Sequence, residues 1–209
     1  MCPRPYRLGK RQAATDETRL RILEAARQLL ADESNTTEIT MDTIARKADV
    51  SRLTIYYRFG SRPGLLEALY DHLAARGNMH RIAEVFHEAD LTKMLQHMVQ
   101  VFVGFWGSDP LVLRRLRAMS VLDREIAAGI QSRDSRRAQI SAEIVRRFVS
   151  SRLNAAPAEQ KVATDALSML TSFETYDAMS RAGHADEKIQ QTLLDMAGTT
   201  LNSLSRGSN

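Results

Sequence analysis

Helical spacing of apolar residues runs along almost the whole chain, and no other feature narrows its fold as much. Ile22, Ala26, Leu29 and Leu30, with Leu23 beside them, form one stripe over about residues 16–32. Leu65, Leu66, Leu69 and Leu73 form another, and Ile82, Val85, Phe86 and Ala89 share a face. Residues 91–106 make a strongly apolar helix that the run Gly107-Ser108-Asp109-Pro110 stops. No segment alternates with the two-residue period of a half-buried strand. With 10 glycines and 5 prolines among 209 residues, the chain is also short of the turn formers that a sandwich or barrel consumes. The expectation is an all-α fold of about nine helices.

Capping residues divide the first third. Residues 1–14 carry Arg4, Arg7, Lys10 and Arg11 with two prolines and read as a flexible basic arm. Thr15 or Asp16 then caps the first helix, and the polar run 32–38 is a loop. Thr40 precedes a short helix, Ala48-Asp49-Val50 turns the chain, and Ser51 caps a second short helix from Arg52. Ser61 caps a third, with Pro63 in the first turn, where its missing N–H costs nothing.

Later, a short helix covers about 111–118 and a long charged one about 121–152, which Ala155-Ala156-Pro157 breaks. Helices over about 158–181 and 186–204 close the chain. The domains expected are the arm at 1–14, a first helical domain at 15–77 with the pair of short helices at 40–59, and a second helical domain at 78–209.

Charge is unevenly placed. Residues 1–62 hold 12 Lys/Arg against 8 Asp/Glu, while the rest holds 17 of each. The whole excess of +4 therefore sits in the first third, which suits an anionic partner, usually nucleic acid. A basic tail that is merely solvated explains the charge alone equally well.

Two short helices joined by a tight turn have the plan of a helix-turn-helix, whose second helix enters the major groove. Ile44, Ala45 and Val50 are spaced to pack the pair, and Ile55 and Phe59 are expected in the core. Arg52, Thr54, Tyr57 and Arg58 fall on the outer face of the second helix, and all can bond phosphates or base edges.

The ordered series of matches extends well beyond this motif. Thr18-Arg19, Ile22-Leu23, Ala25-Ala26 and Leu29-Leu30 are followed by Thr40-Met41-Asp42-Thr43-Ile44-Ala45. Then come Val50-Ser51-Arg52, Thr54-Ile55-Tyr56-Tyr57-Arg58-Phe59, Ser61-Arg62 and Leu65-Leu66. Over about a third of the chain this resembles the DNA-binding domain of TetR-family repressors. Leu53 stands where members often have Gly, Arg58 where they often have His, and Arg62 where they often have Lys. Pro63 and Gly64 replace the more usual acidic residues.

The resemblance implies a three-helix DNA-binding domain followed by a helical effector-binding and dimerisation domain. It implies that Thr40 bonds a phosphate while capping its helix, and that Arg52, Leu53 and Thr54 face base edges. Of Tyr56 and Tyr57, one packs and the other meets a phosphate, with Tyr57 the favoured contact. Arg62 would hold a further phosphate. Arg7, Lys10 and Arg11 would reach the minor groove or stay solvated.

The resemblance further implies that the last two helices pair with their copies in a homodimer. Val162, Ala166, Met169, Leu170 and Phe173 form one stripe there, and Leu193, Met196 and Ala197 belong to the other. Intramolecular core must claim part of each. An effector pocket among the central helices would draw on Met94, Met98, Phe102, Trp106, Met119, Phe148 and Tyr176, since Met and aromatic side chains adapt to apolar ligands. Core packing is the competing reading for most of these.

The partners expected are double-stranded operator DNA, a second copy of the chain and an unknown small-molecule effector. No run approaches the roughly 18 apolar residues of a membrane span. No signal peptide is expected either, so the expected location is cytoplasmic. With one cysteine, intrachain disulfides and Cys-based metal sites are excluded. His80, Glu84, His87 and Glu88 share a helical face but read as exposed decoration, and neither metal nor cofactor is expected. There is no nucleophile–base pair, HExxH or phosphate loop, so an enzyme is not expected. The function implied is a repressor released by its effector; an effector-independent regulator or an activator is the alternative.

Overall fold

The first helix, α1 (Tyr6–Ala31), begins well before the expected cap at Thr15 or Asp16. The structure, a computed structural model, describes residues 6–34, 39–152 and 155–204. Residues 6–14 of the expected flexible arm are thus helical, and residues 1–5 lie outside the described residues. After Pro5 the sequence is rich in Arg, Leu, Lys, Gln and Ala, all good helix formers. Extending a helix already docked through Ile22, Ala26 and Leu30 needs no new nucleus.

Ten further α-helices follow among the described residues, without strands: α2 (Met41–Lys47), α3 (Arg52–Phe59), α4 (Arg62–Arg76), α5 (Ile82–Val85), α6 (Leu91–Ser108), α7 (Pro110–Ser120), α8 (Arg124–Arg152), α9 (Pro157–Leu170), α10 (Phe173–Arg181) and α11 (Asp186–Ser203). The total of eleven exceeds the expected nine or so for two local reasons. Residues 82–85 form only a single turn of their own after a 3₁₀ turn at Met79–Arg81. The helix expected over 158–181 breaks at Thr171–Ser172. There Ser172 is extended, and its hydroxyl accepts from the Thr175 N–H at 3.2 Å, starting α10 afresh. The long helix starts at Arg124 because Asp123 caps it, accepting from the Glu125 N–H at 3.0 Å.

The chain folds into two compact units. One comprises residues up to 72 together with 111–126; the other comprises 73–110 together with 127 onward. The division falls inside α4, slightly before the expected boundary at 77. Unlike the expectation, α7 groups with the N-terminal unit. The core of that unit is Ile22, Ala26, Leu30, Ile44, Ile55, Leu65, Leu69, Leu113 and Leu116, all buried. The second unit is built on α6, whose partners include α10 and α11, with α9 packed on α11. Trp106 is its centre: the ring lies 4.5 Å from Phe105 and meets Phe173 edge-on at 5.5 Å. Its indole N–H donates to the Thr171 carbonyl at 3.0 Å, which supplies the partner a buried Trp needs.

Candidate nucleic-acid interface

α2 and α3 are short helices that owe their definition to their caps. Thr40 accepts from the Thr43 N–H at 3.2 Å, while the Thr43 hydroxyl takes the Thr40 N–H at 3.0 Å. This reciprocal pair satisfies two donors at the helix start. At the other end Val50 N–H donates to the Ala45 carbonyl at 3.0 Å, and Asp49 adopts a φ of 52°. Among non-glycine residues, Asp is one of the few that tolerate this left-handed turn position. Ser51 caps α3 through the Thr54 N–H at 3.1 Å. The buried side chains Ile44, Ala45 and Ala48 of this motif, with Ile55, leave the other side of α3 to solvent.

On that outer side Leu53 is 78% exposed and Tyr57 84% exposed. Arg52 is exposed beside them, and Thr54 is half-buried with its hydroxyl 2.8 Å from that of Ser51. Tyr56 is also exposed, and it is tied to Arg52. The Arg52 guanidinium donates to the Tyr56 hydroxyl and to the Asp42 carboxylate, each at 3.2 Å, and lies 5.4 Å from the Tyr56 ring centre. The Tyr56 bond, then the Asp42 charge, raise the guanidinium pKa. A flat donor-rich group is therefore held on the face at the start of α3.

Three expected positions come out differently. Arg58 is half-buried instead of outward-facing: it points to α1, donating to the Thr15 hydroxyl at 3.4 Å. Phe59 is half-buried instead of core, with the Arg19 guanidinium 4.8 Å over its ring. Arg62, also half-buried, forms an ion pair with Asp123 at 3.7 Å. Residues 58, 59 and 62 lie near the end of the short α3, where the stripe turns toward α1 and the neighbouring loop. Periodicity within eight residues does not reveal that.

Gly64 explains itself once α4 is placed. A Cβ on Gly64 would collide with the carbonyl oxygen of Phe59. The start of α4 thus approaches the end of α3 so closely that only glycine fits. The Gly64 N–H also caps onto the Ser61 hydroxyl at 3.1 Å.

Most of the expected pocket residues are packing. Met94, Met98, Phe102 and Trp106 are buried core, and Tyr176 is buried with its hydroxyl donating to Asp186 at 2.9 Å. Burial first, and that bond next, push the Tyr176 phenol up to about 12. Met119 is half-buried and belongs to the N-terminal unit. Phe148 alone of the seven lines a groove of about 470 Å³ in the second unit. Its other walls are Leu91, Thr92, Leu95 and Gln96 of α6 with Gln191, Leu194, Asp195, Gly198, Leu201 and Asn202 of α11. An apolar stripe on a helix says which residues share a face; it does not say whether that face meets a cavity or another helix.

The expected dimer stripes are divided in the same way. Leu170, Phe173, Leu193 and Ala197 are buried within the unit. Val162 is 68%, Met169 60% and Met196 49% exposed, with Ala166 half-buried between the first two. A shallower, largely apolar groove of about 310 Å³ runs by Val162, Ala163, Thr200 and Leu204.

Residues 22–69 match the family described as bacterial regulatory proteins, tetR family. The chain is 31% identical over 123 residues to the HTH-type transcriptional regulator EthR of Mycobacterium tuberculosis, covering 57% of this chain and 56% of that protein. It therefore spans little more than half the length of the curated relatives it matches. Among solved structures it resembles a TetR-like transcriptional regulator from Rhodococcus sp. RHA1, at 19% identity and a TM-score of 0.66, covering 97% of this chain and 99% of that one. A Saccharomonospora viridis regulator solved in complex with choline is similar at 22% identity and a TM-score of 0.66, over 86% of this chain and 95% of that one.

Proposed function

We propose that the chain, whose residues 22–69 match the tetR family of bacterial regulatory proteins, is a member of that family and a homodimeric, sequence-specific DNA-binding transcriptional regulator acting as an effector-released repressor. The observation that carries the DNA-binding reading is the outer face of α3. Arg52, Leu53, Thr54, Tyr56 and Tyr57 stand on it, on a helix fixed by Ser51 and seated on Ile55. Arg52 can take a guanine edge in two bonds, Leu53 can touch a thymine methyl, and Tyr57 can reach a phosphate. Thr40, at the start of α2, can do the last as well. Arg58 and Arg62 are engaged within the unit, so their part in DNA contact requires exchange of those partners.

Two copies are needed to read successive major grooves. The exposed Val162 and Met169 on α9 and the exposed Met196 on α11 support pairing through these helices, because large apolar side chains left in solvent mark an interface. The groove between α6, α8 and α11 supports a small-molecule site there, and the choline complex of a protein of similar fold is in keeping with a small-molecule effector. An effector lowers DNA affinity to the extent that it prefers a state whose recognition helices are wrongly spaced.

The test is a gel-shift with the duplex upstream of the chain's own coding region, titrated with salt. The expected result is a discrete complex that weakens steeply as salt rises. No complex with any duplex at low salt would overturn the reading.

A further inference from the structure

Asp42 is out of place on a surface meant for phosphates. It is an exposed carboxylate in the first turn of α2, on the side from which α3 offers Arg52. A carboxylate repels a polyanion, so an acid here weakens any DNA contact unless something neutralises it. The Arg52 guanidinium neutralises it, lying 3.2 Å from the Asp42 carboxylate and bonded at the same time to the Tyr56 hydroxyl.

The three side chains form one construction. Thr40 fixes the start of α2 and thereby the place of Asp42. Ser51 fixes the start of α3 and thereby the place of Arg52. Tyr56 lies one turn along α3 from Arg52, with its ring under the guanidinium. An unsupported arginine on a helix surface sweeps many rotamers and is drawn to the nearest phosphate. Here one bond from each terminal nitrogen and the ring below define both the position and the plane of the group. The guanidinium has five N–H donors in a fixed fork, so a planar, pre-placed guanidinium can still present donors to a base edge.

We infer that Asp42 is a positioning residue for Arg52, holding its guanidinium with Tyr56 in the plane that reads a base and away from the phosphates. The inference rests on the DNA-binding reading above. It assigns Asp42 a role in specificity at a cost in bulk affinity. A merely structural acid at a helix start would act otherwise, since its loss lowers stability and weakens every duplex alike.

The test uses duplexes enriched by the full wild-type chain from a randomised pool, set against random duplex of the same length. For Asp42→Asn the expected result is a fall of about fivefold in the preference for the enriched duplex, the size of a lost exposed ion pair. Affinity for random duplex should hold or rise, and its salt slope should steepen by about one phosphate contact as Arg52 is released. Added to Arg52→Ala, Asp42→Asn should bring no further loss of preference, because the two act as a unit. Tyr56→Phe leaves α2 untouched and should lower preference in the same direction, which keeps the test intact if Asp42→Asn fails to fold. Unchanged preference in these variants, or equal weakening on both duplexes, overturns the inference alone. A wild-type chain that enriches no duplex overturns the DNA-binding reading and this inference with it.

Discussion

Arg115 of α7 donates to the main-chain carbonyl of Leu30, 3.0 Å away, in the last turn of α1. The same nitrogen also reaches the Asp32 carbonyl at 2.9 Å. The last carbonyls of a helix have no partner inside it, and a cation there satisfies them and suits the negative end of the helix. Arg115→Ala should therefore destabilise the N-terminal unit by about 1–2 kcal/mol, read in denaturant unfolding. Arg115→Lys should recover part of this, since it keeps the charge but not the fork. No change in either variant would mean that the bonds to the end of α1 contribute nothing to stability.

Gly64→Ala reverses the usual sign of its class. In an ordinary helix interior the change gains about 1 kcal/mol. Here the new methyl meets the Phe59 carbonyl, so α3 and α4 must separate. The expected outcome is a loss of about 1–3 kcal/mol by thermal or chemical unfolding. Weaker DNA binding should accompany it, since Phe59 ends the helix carrying Arg52 and Tyr57.

Trp106→Phe keeps an aromatic ring in the core but leaves the Thr171 carbonyl without the indole donor. A buried acceptor deprived of its donor costs about 1–3 kcal/mol. The second unit should lose that much in denaturant unfolding.

Glu143 gives the second unit an acid-sensitive clamp. Bonds from Arg146 and Arg147 hold its carboxyl down at about 2, below its ordinary 4.5. A carboxyl depressed on folding contributes stability above the unfolded value and loses it as pH falls through the folded one. That contribution should disappear between pH 4.5 and about 2. Glu143→Gln should flatten the acid limb of a melting-temperature profile in that window and leave its shape above it unchanged.

Val162→Arg combined with Met169→Glu places charge on the exposed line of α9. Light scattering should show a smaller species for this variant than for the wild-type chain, with far-UV circular dichroism unchanged. Equal masses would place any pairing surface elsewhere.

The sequence reveals these features unevenly. Thr40 and Ser51 announce their helices because a cap acts locally, within three residues. Ile44, Ile55 and Leu65 are legible as core because their spacing is that of a helix. Arg58 and Arg62 are not legible, because their partners Thr15 and Asp123 are distant in sequence. Arg115 reads as a surface cation until α1 is seen to end beside it. The need for Gly64 depends on how closely two helices approach, which no local pattern encodes. The Met and aromatic stripe of α6 is legible as apolar, yet whether it lines a pocket or fills a core depends on what packs against it. Met94 and Met98 fill the core, whereas Gln191 and Asp195, unremarkable in sequence, line the groove.

Hydroxyl-radical footprinting of the full chain on a duplex it selects reads the placement of the two α3 helices on DNA. Two copies presenting the Arg52–Tyr57 face should protect two tracts whose centres lie about one helical turn, roughly 34–36 Å, or a multiple of it, apart. Arg52→Ala should lower the preference for that duplex without abolishing it, since Leu53 and Thr54 remain on the face. Protection of a single tract, uniform protection without position, or none at low salt would contradict the account.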